Sequence, residues 1–236
     1  MSATAADRSL KRSSTLMLVG LALLAGIYVR ALAFTPPDTI QGPAQKIFYI
    51  HAPSAWVAFL AFLTVGVCSV LYLAIREQRL DRLAACSAEV GVVFITGVLL
   101  TGPIWGKTIW GAWWTWDARL TSTLFLWFIF FGYLVLRSAV HEPGQRARFS
   151  AVLGILGALL VPFIHVSVQW FRTLHPQPVV LKPEGPTLPG SMLVTLLSSF
   201  GVFTVLYIAL VWQRYAQAEI ADATLAARAE ADDHAR

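Results

Sequence analysis

Six apolar stretches constrain this chain more than any other feature: residues 16–34, 47–75, 84–104, 120–136, 149–170 and 190–212. Crossing the hydrocarbon core of a bilayer takes about 20 mostly apolar residues in a helix. Inside lipid every backbone N–H and C=O must be satisfied within the chain, so such stretches are read as helices. The expected fold is an all-α integral membrane protein with six transmembrane helices. The second stretch, at 29 residues, exceeds the hydrocarbon thickness, and one end of it is expected to project into the interface. Composition agrees: hydrophobic residues make up 57% and charged residues 13% of 236 residues. A soluble globule of this size has too little interior for that much apolar surface, and disorder requires the opposite balance. No phosphate-cradling glycine loop, Walker motif or internal repeat interrupts the pattern. The chain therefore reads as one membrane domain, 1–236, with 213–236 as a tail.

Basic residues set the orientation. One side carries Arg8, Lys11, Arg12, Arg76, Arg79, Arg82, Arg137, Arg146, Arg148, Arg214, Arg228 and Arg236, and the other Arg30, Lys46, Lys107, Arg119, Arg172 and Lys182. The twelve-residue side is expected to be cytoplasmic. That places both termini inside and the connections 35–46, 105–119 and 171–189 outside. The net charge of +5 thus reflects membrane topology and does not call for nucleic acid. Arg8, Lys11 and Arg12, the apolar run that follows, and Ala31-Leu32-Ala33 have the layout of a cleavable signal peptide. Arg30, directly before the small residues, is unfavourable for cleavage, and either outcome leaves the later connections where they are. Cys68 and Cys86 lie in or near apolar runs, so no structural disulfide is expected.

The outer face collects unusual residues. His51 sits one turn into the second stretch and His175 in the third outer connection. Between them in sequence come Trp105, Trp110, Trp113, Trp114 and Trp116, five of the nine tryptophans. An interfacial histidine is ordinarily just hydrated, and a boundary tryptophan ordinarily belongs to an aromatic belt. Five in twelve residues, with Gly106 and Gly111 among them, strain that explanation, and interfacial insertion is the plainest alternative. Two imidazoles are too few for a closed zinc site, and no acidic or cysteine cluster supplies the rest. They suffice for the two axial positions of a haem iron. Indole rings offer such a macrocycle stacking surface and exclude water. Lys46, Lys107, Arg119, Arg30 and Arg172 supply cations for two propionates, arginine in paired geometry. Arg119, directly after the aromatic run, and Lys46, five residues before His51, are the leading candidates. The residues alone point to haem or another flat ligand. No C-x-x-C-H occurs, so the chain is not expected to attach haem covalently to itself.

The run Trp105-Gly106-Lys107 through Trp110-Gly111-Ala112-Trp113-Trp114-Thr115-Trp116-Asp117-Ala118-Arg119-Leu120-Thr121-Ser122 resembles the tryptophan-rich WWD segment of haem-handling membrane proteins. Its Asp-Ala-Arg-Leu-Thr-Ser ending resembles the CcmC family, the haem exporter C proteins of cytochrome c maturation, and the likeness extends over nearly the whole chain. The family's first outer histidine lies in a Tyr-x-His-x-Pro context, matched by Tyr49-Ile50-His51-Ala52-Pro53. Its second is matched by Thr173-Leu174-His175. The resemblance implies that His51 and His175 are axial ligands to a non-covalent, transient haem b. It also implies that the WWD loop, 105–119, holds this haem at the periplasmic face of a bacterial inner membrane. The implied partners are the haem chaperone CcmE, which receives the haem, and CcmA, CcmB and CcmD, which release the loaded chaperone. The implied role is binding and delivery, not catalysis. The acidic, Ala-rich tail after Glu219 is not explained by the family pattern.

Several other residues carry expectations. Asp117 precedes the fourth helix and is expected to cap it or to anchor the tryptophan loop. His165 lies ten residues before His175, ~15 Å along a helix, and is expected to make a structural hydrogen bond near the pocket floor. Pro162 is expected to kink the fifth helix, and Glu89 to be hydrated at the interface or to make a local hydrogen bond. Two other functions would place different demands on the sequence. A b-type electron-transfer cytochrome would hold haem between facing helices inside the bilayer. A permease would show broken helices and polar midplane residues, whereas the middles of these stretches are mostly apolar.

Overall fold

The computed structural model describes residues 3–234 other than 178, 181 and 184. Helix α1 spans Ala3–Val29 and runs into a π-helical turn, Arg30–Phe34; a 3-10 turn, Pro43–Ile47, then leads into α2, Phe48–Ile75. The remaining helices are α3, Gln78–Trp110; α4, Ala118–Ala139; α5, Pro143–Trp170; and α6, Gly190–His234. All six are long and apolar enough to cross a membrane.

Sequence chemistry sets the boundaries. Arg76 takes the left-handed conformation at the end of α2, and its N–H donates to Tyr72 O at 2.8 Å. Pro143 opens α5, where the Glu142 carboxylate accepts from the first free N–H groups; a proline there costs no helix bond. Two boundaries differ from the sequence expectation. The segment 105–119 is not a loop throughout. Helix α3 carries Trp105 and Trp110, and α4 begins at Ala118, so the irregular connection is 111–117. Gly111, at φ +74°, supplies the left-handed residue that stops α3, a conformation that costs glycine little. The tail expected over 213–236 is an unbroken continuation of α6 through His234; its last two residues lie outside those described. Alanine-rich sequence favours that continuation. Arg82 of α3 holds its flank, 2.6 Å from Asp222 and 3.8 Å from Glu219.

Helix α2 is central, packed against α3, α5 and α6, while α1 lies on α6 and α4 lies on α5 and α3. In the core the rings of Phe62 and Phe130 stack at 3.7 Å and 8°. Glycines let the helices come this close: a Cβ on Gly157 would sit 2.6 Å from Phe130, and one on Gly91 the same distance from Phe62. Without a hydrophobic driving force between helices in lipid, such small-residue contacts provide much of the attraction. Polar pairs lie toward the end opposite the histidines. Arg137 grips Asp81 with two hydrogen bonds, 2.6 and 2.9 Å, and Arg214 donates to Glu89 at 2.5 Å, so Glu89 does make a hydrogen bond to a neighbouring helix.

Candidate functional site

At the end of the bundle that bears the 3-10 turn and the connections 111–117 and 171–189, the helices leave a cavity of about 80 Å³. His51 enters its wall from the first turn of α2, and His175 closes it from the connection after α5. Trp105, Trp110, Trp114 and Arg119 complete the polar and aromatic lining; below them Ala58, Phe59, Ile95 and Leu99 make the floor apolar.

The two imidazoles are held differently. His51 stands on a helix, its Nδ1 2.9 Å from Thr101 Oγ1 on α3 and its ring edge-on to Trp105 at 5.6 Å. His175 stands on a loop tied by a chain of hydrogen bonds. Asp117 Oδ1 accepts from Leu120 N at 2.9 Å and so caps α4. Its Oδ2 accepts from Thr115 Oγ1 at 3.0 Å and Thr173 Oγ1 at 2.8 Å. The Thr173 hydroxyl in turn accepts from His175 N at 3.0 Å. The tryptophan connection, the start of α4 and the His175 loop therefore meet at one carboxylate. His175 Nδ1 lies 3.0 Å from Pro176 O; a carbonyl can only accept, so Nδ1 carries the proton and Nε2 is the free lone pair. Burial, reinforced by the Arg119 cation, pushes the His175 imidazole down to about 3. The ring is accordingly neutral at physiological pH, the form that ligates metals.

Arg119 lines the same cavity, and among the described residues no carboxylate lies within ion-pair distance of it. A partly buried guanidinium without an anion is costly and suits a ligand carboxylate. The Trp114 indole N–H is also buried without an acceptor. An apolar slot with two imidazoles, indole faces and a cation fits the chemistry of haem.

Other expected site residues fall elsewhere. Lys46 is not in the cavity lining. Its ammonium donates to Ala31 O at 2.6 Å and to Thr35 O, closing the π-helical turn that follows α1. Lys107 donates to Gly111 O at 2.9 Å and Arg30 to Thr195 Oγ1 at 3.1 Å. Trp113 and Trp116 are 60% and 78% exposed and stand at the rim, Trp116 edge-on to Trp114 at 5.9 Å. His165 corrects the expectation made for it: it lies on the exposed side of α5, lines no part of the cavity and makes no hydrogen bond among the described residues. Its helical register points it away from α2. Sequence reasoning missed Thr101, Gly102 and Thr173. Thr173 lies inside the Thr-Leu-His motif; Thr101 is 50 positions from the histidine it touches, and nothing in the sequence marks it.

Six membrane-length helices with a cavity at one end, lined by two histidines and three tryptophans, define the class as a multi-pass membrane protein with a candidate ligand site. The family profile described as Heme exporter protein C matches residues 3–230. Heme exporter protein C of Bradyrhizobium diazoefficiens is 39% identical over 188 residues, covering 80% of this chain and 71% of the relative. That of Haemophilus influenzae is 37% identical over 201 residues, covering 85% and 80%. A ccmC-like mitochondrial protein of cytochrome c biosynthesis from Marchantia polymorpha is 33% identical over 186 residues, covering 79% and 76%. The chain belongs to the Heme exporter protein C family.

Proposed function

We propose that this protein takes haem b non-covalently between His51 and His175 and holds it transiently at the periplasmic face of a bacterial inner membrane. The haem is then presented to the chaperone CcmE, and CcmA, CcmB and CcmD act with this protein to release the loaded chaperone. The observation that carries the reading is the convergence of two histidine imidazoles from distant elements on one apolar cavity, beside a guanidinium that forms no ion pair among the described residues. Haem is cargo here. His51 and His175 supply the axial nitrogens, Trp105, Trp110 and Trp114 face the macrocycle and exclude water, and Arg119 takes a propionate. Asp117 positions the His175 loop, and Trp113 and Trp116 meet the cargo or its acceptor at the rim. Membrane lipid surrounds the helices. Both termini are cytoplasmic in this arrangement, by the distribution of basic residues.

The test is the absorption spectrum of the purified protein. Wild type carries a low-spin, bis-imidazole b-type spectrum, and His51→Ala and His175→Ala each lose it together with transfer to the chaperone. An unchanged spectrum in the double variant overturns the assignment.

A further inference from the structure

We infer that Thr101 is a positioning residue for His51, fixing that imidazole in the tautomer that offers Nε2 to the cavity. The inference rests on the haem-binding reading above and names how one of its ligands is set. Hydrogen-bond accounting carries it. Thr101 Oγ1 lies 2.8 Å from Gly97 O, one helical turn back, with Val98 O farther off at 3.4 Å, and it lies 2.9 Å from His51 Nδ1. A hydroxyl has one proton to give, and a carbonyl oxygen only accepts. The proton therefore goes to the α3 backbone, and the hydroxyl must accept from His51. Nδ1 carries the ring proton, and Nε2 keeps the lone pair that a metal needs.

The rest of α3 completes a slot for the ring. Gly102 follows Thr101, and a Cβ there would sit 3.3 Å from His51 Cε1, so glycine lets the imidazole lie close against the helix. Trp105, one turn farther on, packs edge-on to the same ring at 5.6 Å. Threonine suits the position because its branched Cβ restricts the hydroxyl and the bond to Gly97 fixes it further. His51 is thus aimed by a neighbouring helix, whereas His175 is aimed by its own loop. A partner on the outer ring nitrogen sets orientation and raises the basicity of the ligating one; its loss typically weakens metal affinity about 10–100-fold.

The experiment uses the full chain in nanodiscs, with Thr101→Val, Thr101→Ser and His51→Ala. Nitrogen-15 spectra of histidine-labelled, haem-free wild type should show His51 as the Nδ1–H tautomer. Thr101→Val keeps the shape and removes the acceptor. It should release haem roughly tenfold faster or more, with a changed reduction potential, while Thr101→Ser stays near wild type. An Nε2–H signal in the wild type overturns the inference. So does a Thr101→Val protein with wild-type release and potential, or a Thr101→Ser protein as impaired as the valine variant. Should Thr101→Val fail to insert, the wild-type tautomer and the serine variant decide. If His51→Ala binds haem as wild type does, the ligation reading itself has failed, and the tautomer result stands apart from that failure.

Discussion

Replacing Asp117 by alanine removes three accepted hydrogen bonds at once, from Leu120 N, Thr115 and Thr173. The lost cap alone costs about 1 kcal/mol, so the melting temperature should fall, and haem retention should fall with it. Thr173→Val separates the two effects: the cap survives while the tie to His175 N is gone, so retention drops with little change in melting. Equal retention in Thr173→Val and wild type would dissociate the His175 loop from this carboxylate. His175 also gives a pH dependence whose sign is fixed. Its folded value is about 3 against an ordinary 6.5, so between those limits the unfolded chain binds the extra proton. Stability from this residue is therefore lost as pH falls from about 6.5 toward 3 and is flat above that window. The haem-free wild type should lose more melting temperature between pH 7 and 5 than His175→Gln does. Thermal scans at the two pH values check it.

At the scale of elements, close helix contact depends on missing side chains. Gly157→Ala places a methyl 2.6 Å from Phe130 and 2.9 Å from Ile129, which neither buried ring nor helix backbone can absorb without shifting. A loss of about 1–3 kcal/mol is expected, read as a lower unfolding midpoint in detergent, whereas Gly97→Ala, where a Cβ meets nothing within 4 Å, should be neutral or mildly stabilising. The sequence displayed the helices because six apolar runs leave a chain in lipid few choices. It did not display their true ends. Helix α3 runs through Pro103 and Gly106 to Trp110 before Gly111 stops it, because tertiary packing overrides local propensity when a helix is held on several sides. His51, His175, the tryptophans and Arg119 were legible as residue types that do not belong together by chance. Which tryptophans line the cavity was not, since that depends on where α3 stops. The hydrogen bonds of Lys46 were not legible either: proximity in sequence to His51 says nothing of the Ala31 and Thr35 carbonyls that it meets.

Across the whole molecule, α6 reaches beyond the apolar bundle, and its extension is held at its flank by Arg82. Ion pairs at the protein surface contribute about 1 kcal/mol or less, and Arg82 also lies over the Tyr215 ring at 5.4 Å, so Arg82→Ala should lower melting only slightly yet speed proteolysis within 219–228; cleavage at the wild-type rate would show the extension is held by other contacts. At the opposite end, α3 fixes Trp105 and Trp110 as part of a stiff wall, while Trp113 and Trp116 stand exposed on the connection that follows. Under the proposed delivery role, that split has a kinetic meaning. Side chains exposed at the mouth are met before the pocket is, so changes there alter how often an encounter succeeds. Side chains built into the helix touch only what has already arrived, so changes there alter how long it stays. Arrival and residence are thus written into neighbouring residues of one tryptophan run, and a substitution series along it should move the association rate at one end and the dissociation rate at the other.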